Sequence, residues 1–172
     1  MTDSIILFAS SRREGNTGKL TDTIAQQLGV EIVDLTTLDI SPFDYDHNNR
    51  NDDFEPLMNR LFTYQNILFA TPIYWYSVAP DMKIFLDRIS DYLSISELLD
   101  DGRKLRGKTG YVICSSISEE PDQPFVDAFE ATFAYLGMGY GGCINANCAE
   151  DYNAQTNESQ IAEFIQRLSV GK

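Results

Sequence analysis

The stretch SIILFASSRREGNTGKL, residues 4–20, joins a short apolar run to a polar loop and then to a helical pattern. The run at residues 4–9 is rich in residues that favour β-structure, and its continuous apolar character predicts a strand buried on both faces. Leu20, Ile24 and Leu28 then recur at helical spacing before Gly29, which predicts a helix that ends there. The stretch therefore predicts a strand, a loop and a helix in that order.

The same alternation continues along the rest of the chain. Further runs typical of strands lie at residues 30–35, 66–70, 110–116 and 140–146. Five such strands separated by helices predict a parallel sheet with right-handed crossovers and helices on both faces, which is a doubly wound α/β fold. A chain of 172 residues is long enough for one good core, and we expect one domain.

Four further helices are predicted by apolar residues three or four positions apart. Asp52 with Glu55, and Asn157 with Gln160, have the spacing of capping boxes and predict where two of these helices begin. The polar segment at residues 41–53 is predicted to be a long surface loop. The apolar stripes are Leu57, Leu61 and Phe62; Met82, Phe85, Leu86, Ile89, Tyr92 and Leu93, after Pro80 in the first turn; Phe125, Phe129, Phe133 and Leu136, after Pro124; and Ile161, Phe164, Ile165 and Leu168.

The charge and the cysteine content exclude several classes of function. The formal net charge of −13 would repel a phosphate polymer, so we expect no nucleic-acid partner. No apolar window is long enough to span a bilayer and no signal peptide is recognisable, so we expect a cytoplasmic protein without membrane insertion. Cys114, Cys143 and Cys148 form no CxxC pair, and His47 is the only histidine, so we expect reduced thiols and no metal site.

The loop after the first strand has the composition of a phosphate site. In a doubly wound sheet, ligands bind beyond the carboxyl ends of the strands, where the loops after the first, third and fourth strands should meet. The first of these loops contains hydroxyl, amide and guanidinium groups before a helix N-terminus, which attracts anions. It matches neither the P-loop nor the GxGxxG pattern. The alternative is that Asn16 or Thr17 merely caps the helix and that the arginines are solvated.

The loop after the third strand is aromatic. The segment ATPIYWYS, residues 70–77, contains the single tryptophan of the chain between two tyrosines. Such a wall beside a phosphate site is suited to a flat conjugated ring. The alternative is core packing or a subunit contact.

Two motifs resemble the NADPH-dependent FMN reductases of the flavodoxin-like superfamily. They are ASSRREGNTGKL, residues 9–20, and ATPIYWYSVAPDMKIFLDR, residues 70–88. The resemblance implies one FMN-binding domain over residues 1–172, with strand order 2-1-3-4-5. It also implies that NADPH or NADH donates electrons through FMN to a quinone, a nitro or azo compound, a ferric complex or a flavin. Relatives of this kind are homodimers or homotetramers, with exposed aromatic residues such as Tyr45, Trp75 and Tyr76 available for the contact.

The resemblance also implies which residues bind FMN. We expect the phosphate in the first loop, the ring along the third, and the other edge of the ring at the fourth. The fourth loop is acidic where the family often has glycine, and the segment at residues 44–53 lacks the cysteines that ligate an iron–sulfur cluster in some relatives. The expected residues are Ser10, Ser11, Arg12, Asn16 and Thr17 in the first loop; Pro72, Ile73, Tyr74 and Trp75 in the third; and Ser115, Ser116, Ser118 and Glu119 in the fourth.

No side chain is expected to be catalytic, because the cofactor carries the hydride chemistry and the protein orients it. Lys83, Asp87 and Arg88 belong to the second motif, and we expect them to form surface ion pairs or a subunit contact. We expect His47 to be solvated. Two alternative functions stay open, a flavodoxin-type electron carrier and a flavin-free binding module on the same fold.

Overall fold

A computed structural model describes residues 3–170, so the ends of the predicted domain at residues 1–2 and 171–172 lie outside the described part. Five strands form one parallel sheet in the order β2-β1-β3-β4-β5. Both the fold class and the strand order predicted from the sequence are thus confirmed. The strands are β1 (Ser4–Phe8), β2 (Ile32–Asp34), β3 (Asn66–Ala70), β4 (Thr109–Ser116) and β5 (Gly139–Asn147).

Helices cover both faces of this sheet, and the alternation of side chains along β1 shows why. Ile5 and Leu7 point into one core, which contains residues of α2, α3 and α6. Ile6 and Phe8 point into the other, which contains residues of α1 and α7. The helices are α1 (Asn16–Leu28), α2 (Phe54–Leu61), α3 (Pro80–Arg88), α4 (Asp91–Ser94), α5 (Leu99–Gly102), α6 (Gln123–Leu136) and α7 (Glu158–Val170), with short 3-10 turns at Leu35–Thr37 and Arg103–Leu105.

The helix that the stripe at residues 82–93 predicts is interrupted. α3 ends at Arg88, where the amides of Ile89 and Ser90 bond to carbonyls three residues back instead of four. This tighter turn brings Asp91 to Arg88, and the chain then continues as the four-residue α4. Leu93, predicted to belong to the apolar stripe, is 48% exposed. The expectation of one continuous helix is therefore wrong at this point.

Arg88 is not the surface residue that the sequence suggested, because its side chain is completely buried. Its guanidinium donates to Asp91 Oδ2 at 2.8 Å and Asp52 Oδ2 at 2.5 Å, and to the carbonyl oxygen of Ser41 at 2.9 Å. It also lies 4.6 Å from the centre of the Phe54 ring. One buried cation thereby fastens the start of α2 and the loop before it to α3.

The capping box predicted at the start of α2 does not form, because Glu55 does not bond back to Asp52. Asp52 accepts from the amide of Phe54 at 3.0 Å, but Glu55 pairs with Arg50 at 2.7 Å. Burial alone would raise the pKa of Asp52, whereas its hydrogen bonds from Arg88 and from backbone amides outweigh burial and lower that pKa. The carboxylate of Asp52 therefore serves the ion pair as well as the helix start.

Two further expectations about charged residues have different outcomes. Lys83 and Asp87 form the expected surface ion pair, with Nζ 2.6 Å from Oδ1. His47 is partly buried rather than solvated, and its Nδ1 lies 3.2 Å from Oδ1 of the buried Asp91. The loop at residues 41–53 is thus held at both His47 and Asp52.

We predict that Arg88→Met lowers the free energy of unfolding by about 3–5 kcal/mol, because it leaves two buried carboxylates without their cation. Lys83→Met, on the same helix, removes an exposed pair and should cost less than about 1 kcal/mol. Urea unfolding followed by circular dichroism measures both. Equal losses of unfolding free energy in the two variants would show that the buried ion pairs of Arg88 do not stabilise the protein more than the exposed pair of Lys83 does.

A cavity at the carboxyl ends of β1, β3 and β4

The loops that follow β1, β3 and β4 enclose a cavity of about 500 Å³, as expected for a doubly wound sheet. This volume lies within the range of small-molecule and cofactor sites. The lining combines hydroxyl groups, one arginine and an aromatic segment. The lining residues are Ser10, Arg12, Gly15, Asn16, Thr17, Pro72, Ile73, Tyr74, Trp75, Tyr76, Ser115, Ser116, Ile117, Ser118, Asp122 and Cys148.

The start of α1 forms the floor at the first loop. The N-cap position is Gly15, and no side chain caps the first turn. Asn16 instead uses Oδ1 to accept from the amide of Tyr152 at 3.2 Å, and Thr17 Oγ1 lies 2.6 Å from Ser115 Oγ. The interpretation that Asn16 or Thr17 merely caps the helix is therefore wrong. Gly15, Asn16 and Thr17 at this helix start line the cavity, and a helix N-terminus without a side-chain cap is suited to an anion.

The two arginines of the first loop have different environments. Arg13 forms an ion pair with Asp22 at 2.5 Å and lies over the ring of Phe8. The hydrogen bond that Arg13 donates to Asp22 is the main reason that the pKa of Arg13 is raised. Of the two arginines, Arg12 lines the cavity, whereas the guanidinium of Arg13 is already paired with Asp22.

The first, third and fourth loops are fastened to one another by buried polar groups. The hydroxyls of Thr17 and Ser115 join the first loop to the fourth. The amide of Ile73 donates to the carbonyl of Ser115 at 3.2 Å, and Thr71 Oγ1 accepts from the amide of Ala79 at 2.9 Å. The cavity therefore has a fixed floor before any ligand arrives.

The aromatic segment of the third loop ends in a two-residue turn. Tyr74 and Ser77 exchange backbone hydrogen bonds of 2.8 and 3.0 Å, and Trp75 and Tyr76 form the tip with φ angles of 49° and 63°. The Trp75 side chain is 94% exposed. Core packing, one of the alternatives for this segment, is therefore wrong for Trp75.

Asn145 holds the fourth loop in place. Its buried carboxamide donates to the carbonyl oxygen of Ser118 at 2.9 Å and accepts from Ser116 Oγ at 3.2 Å. Glu119 points away from the cavity, where its Oε1 accepts from Asn147 at 2.7 Å. Glu119 lines a separate, smaller cavity beside α7.

All of the residues expected from the sequence line the cavity except Ser11 and Glu119. Tyr76, Ile117, Asp122 and Cys148 line it too but were not expected. The first three lie in loops that the sequence had already assigned to the site. Cys148 had no such signal, because it follows β5, which extends beyond the predicted end of that strand.

The cysteines are free thiols, as expected. Cys114 lies in the core with its Sγ 3.5 Å from that of Cys143, and this hydrogen bond together with burial raises the pKa of Cys114 well above its usual value. Within residues 3–170, no group of three or more histidine, cysteine or acidic side chains is arranged to hold a metal ion. No helix in the same range is long and apolar enough to cross a membrane.

A parallel sheet of this order, with an uncapped helix start and an aromatic loop at its carboxyl edge, defines a flavodoxin-like protein with a site for an anionic, ring-bearing ligand. The family model of the NADPH-dependent FMN reductases matches residues 3–167, and the chain belongs to that family. The cofactor of this protein is FMN, and the protein is an NAD(P)H-dependent oxidoreductase.

Known proteins are similar over most of the chain. A Bacillus subtilis protein that carries the name of an NAD(P)H-dependent FMN-containing oxidoreductase, YwqN, is 28% identical over 148 residues, covering 81% of each chain. The FMN-dependent NADH-azoreductase of Bacillus anthracis, solved in complex with FMN, superposes with a TM-score of 0.67 at 14% identity over 96% of this chain and 97% of that one. The NADPH-quinone reductase of P. pentosaceus superposes with a TM-score of 0.63 at 16% identity, covering 96% of each chain. These superpositions show the shared fold.

Gly18, in the first turn of α1, lies against the first loop, and sequence reasoning missed it. A side chain there would overlap the carbonyl oxygen of Arg13. The first loop can therefore pack against α1 in this way only if residue 18 is glycine. We predict that Gly18→Ala lowers the free energy of unfolding by about 2 kcal/mol or more, because the clash exceeds the gain of about 1 kcal/mol in helix propensity.

Gly15→Ala is the matched control for this variant. The new Cβ would lie 3.1 Å from the carbonyl oxygen of Arg12, a tight contact that small shifts relieve, and we expect a change of about 1 kcal/mol or less. Thermal and urea unfolding measure both variants. A Gly18→Ala protein as stable as the unmodified chain would contradict the tight fit.

Proposed function

We propose that the cavity binds FMN with its phosphate at the start of α1 and its ring along the third loop. The observation that carries this proposal is the uncapped first turn of α1, which lies beside Arg12 and opposite an aromatic wall in one cavity. The chemistry of the lining fits the cofactor, since donors lie at one end and flat apolar groups at the other. The proposed contacts are Ser10, Arg12, Asn16, Thr17, Pro72, Ile73, Tyr74, Trp75, Ser115, Ser116 and Ser118.

When bound, FMN would supply the redox chemistry, which is hydride acceptance from the nicotinamide and two-electron transfer to an acceptor. The residues of the chain bind and orient the reactants. Arg12 and the α1 amides offset the charge of the phosphate, while the hydroxyl groups of the fourth loop supply hydrogen-bonding partners for the polar edge of the ring. Because Asn145 and Thr71 hold the two ring-contacting loops, little ordering is needed on binding.

The negative charge of the protein affects the same chemistry. Asp122 lines the cavity in a chain with a net charge of −13. Additional negative charge on a bound ring is therefore disfavoured, which lowers the reduction potential of the cofactor.

The acceptor that we propose is a small molecule such as a quinone, a nitro or azo compound, a ferric complex or a flavin. The names of the quinone reductase and azoreductase with the same fold support the quinone and azo classes. We also propose that the chain works as a single FMN-binding domain in the cytoplasm.

We propose in addition that the protein assembles as a homodimer or a homotetramer. Tyr45 and Trp75 are exposed and are available for such a contact. Sedimentation velocity of the FMN-loaded protein tests this assembly.

The first experiment is an absorption spectrum of the purified protein with FMN under anaerobic conditions, before and after NADPH or NADH is added. We predict flavin bands that bleach when NADPH or NADH is added, at a rate that stopped-flow mixing measures. A flavin spectrum that stays oxidised would indicate an electron carrier that does not react with NAD(P)H. Protein that neither binds FMN nor changes its Trp75 fluorescence would indicate a flavin-free module.

A second experiment compares the two arginines of the first loop. We predict that Arg12→Ala weakens FMN binding about tenfold or more, because a charged hydrogen bond to the phosphate is lost. Arg13→Ala is the matched control, since its guanidinium is already paired with Asp22, and it should leave the FMN dissociation constant within about twofold. Fluorescence titration measures both. Equal weakening by the two variants would place the phosphate elsewhere.

A further inference from the structure

Tyr76 adopts a backbone conformation that does not suit its side chain. The hydrogen bonds between Tyr74 and Ser77 close a two-residue hairpin in which both tip residues have positive φ, the geometry of a type I′ turn. Such turns favour Asn-Gly, and an aromatic residue in the left-handed region is strained. The tip of the third loop thus carries two bulky rings where small residues would be more stable.

The strain at Tyr76 is not offset by burial. The Tyr76 side chain is 61% exposed, and Trp75 beside it is more exposed still. In the part of the chain that the structure describes, the tip therefore gains little from hydrophobic packing. A strained residue that contributes little to folding points to a ligand, because strained conformations concentrate at ligand clamps.

The position of Tyr76 indicates the kind of ligand. It lines the same cavity as Arg12 and the serines of the fourth loop, as does the exposed Ile117 of that loop. Tyr76 and Ile117 line the cavity but are not among the proposed FMN contacts, so both side chains are available to a second molecule that binds beside the flavin.

We propose that Tyr76 is a specificity-determining residue that stacks on the ring of an uncharged planar electron acceptor. The inference rests on the proposed function. Asp122 in the same cavity and the net charge of −13 oppose an anionic ring, which favours the uncharged form. For a quinone acceptor the balanced reaction is that the quinone, NAD(P)H and one proton give the hydroquinone and NAD(P)⁺.

The test is Tyr76→Gly, assayed with naphthoquinone and with its monosulfonate. We expect KM for naphthoquinone to rise about tenfold, from loss of ring stacking, and the melting temperature to rise by about 3 °C as the turn loses its strain. The FMN dissociation constant and the rate of reduction by NADPH should stay the same. The same two measurements on wild-type protein test the proposed function by themselves. If wild-type protein does not bind FMN, or if NADPH does not reduce the bound FMN, the proposed function is wrong, whatever the effect of Tyr76 on the acceptor.

Three controls make the outcome decisive. Tyr76→Phe keeps the ring and should keep KM, Tyr76→Asn tolerates positive φ and should behave like the glycine variant, and Tyr135→Ala removes an exposed tyrosine from α6 and should change nothing. An unchanged KM in both the glycine and the asparagine variants would overturn the proposal. Weaker FMN binding in them would assign Tyr76 to the cofactor, and a change in sedimentation would assign it to a second copy of the chain. Either result also overturns the proposal.

The charge preference has its own readout. Wild-type protein should use naphthoquinone with a kcat/KM at least about tenfold above that for the sulfonate at low ionic strength, and the ratio should fall as salt screens the acidic side chains. Equal use of the two acceptors at low ionic strength would contradict the preference for an uncharged ring.

Discussion

The in-register parallel pairing of β1, β3 and β4 is the constraint on which the site depends. Phe8 pairs with Ala70, and Ala70 pairs with Ile113, so β1 and β3 end side by side while β4 continues beside them to Ser116. The pairing continues just beyond them, where the amide of Ala9 bonds to Ala70 and that of Thr71 to Ile113. Three loops that are far apart in the sequence therefore leave the sheet at one edge, and a slip in register would separate the helix start from the aromatic wall.

The sheet was predictable because its signal is local. Near-continuous apolar runs that alternate with helical stripes are sufficient to predict a buried parallel sheet, and the two cores follow from the alternation of side chains along each strand. Arg88 was not predictable in this way. Its partner Asp52 lies 36 positions away in the sequence, and a lone arginine on an apolar helix has the same local pattern whether it is solvated or buried. The break after α3 was missed because the apolar stripe continues to Leu93 although the backbone hydrogen bonding changes at Ile89 and Ser90.

The candidate site shows the same division between local and distant information. The composition of the loops predicts which segments meet, but it does not show which side of a loop each residue faces. Ser10 lines the cavity and its neighbour Ser11 does not, while Glu119 turns away because Asn147 binds its carboxylate. Gly18 was missed for a related reason, since its need for space comes from the path of the preceding loop across α1. Family resemblance supplies the ligand, and only the coordinates supply these orientations.

The loops around the cavity differ in how they are held, and the difference fits their separate tasks. Side chains anchored in the sheet fix the floor, as Thr71 does for the third loop and Asn145 for the fourth, so a cofactor meets groups that are already oriented. The tip of the third loop is closed only by its own two backbone hydrogen bonds and carries its rings in solvent. A rigid inner surface suits a cofactor that stays bound through many turnovers, because the contacts to the cofactor do not have to be broken and formed again in each cycle. Tyr76 at the tip has the opposite requirement, since the acceptor that we propose for it must arrive and leave in every cycle, and one exposed aromatic ring gives enough stacking for recognition without slow release.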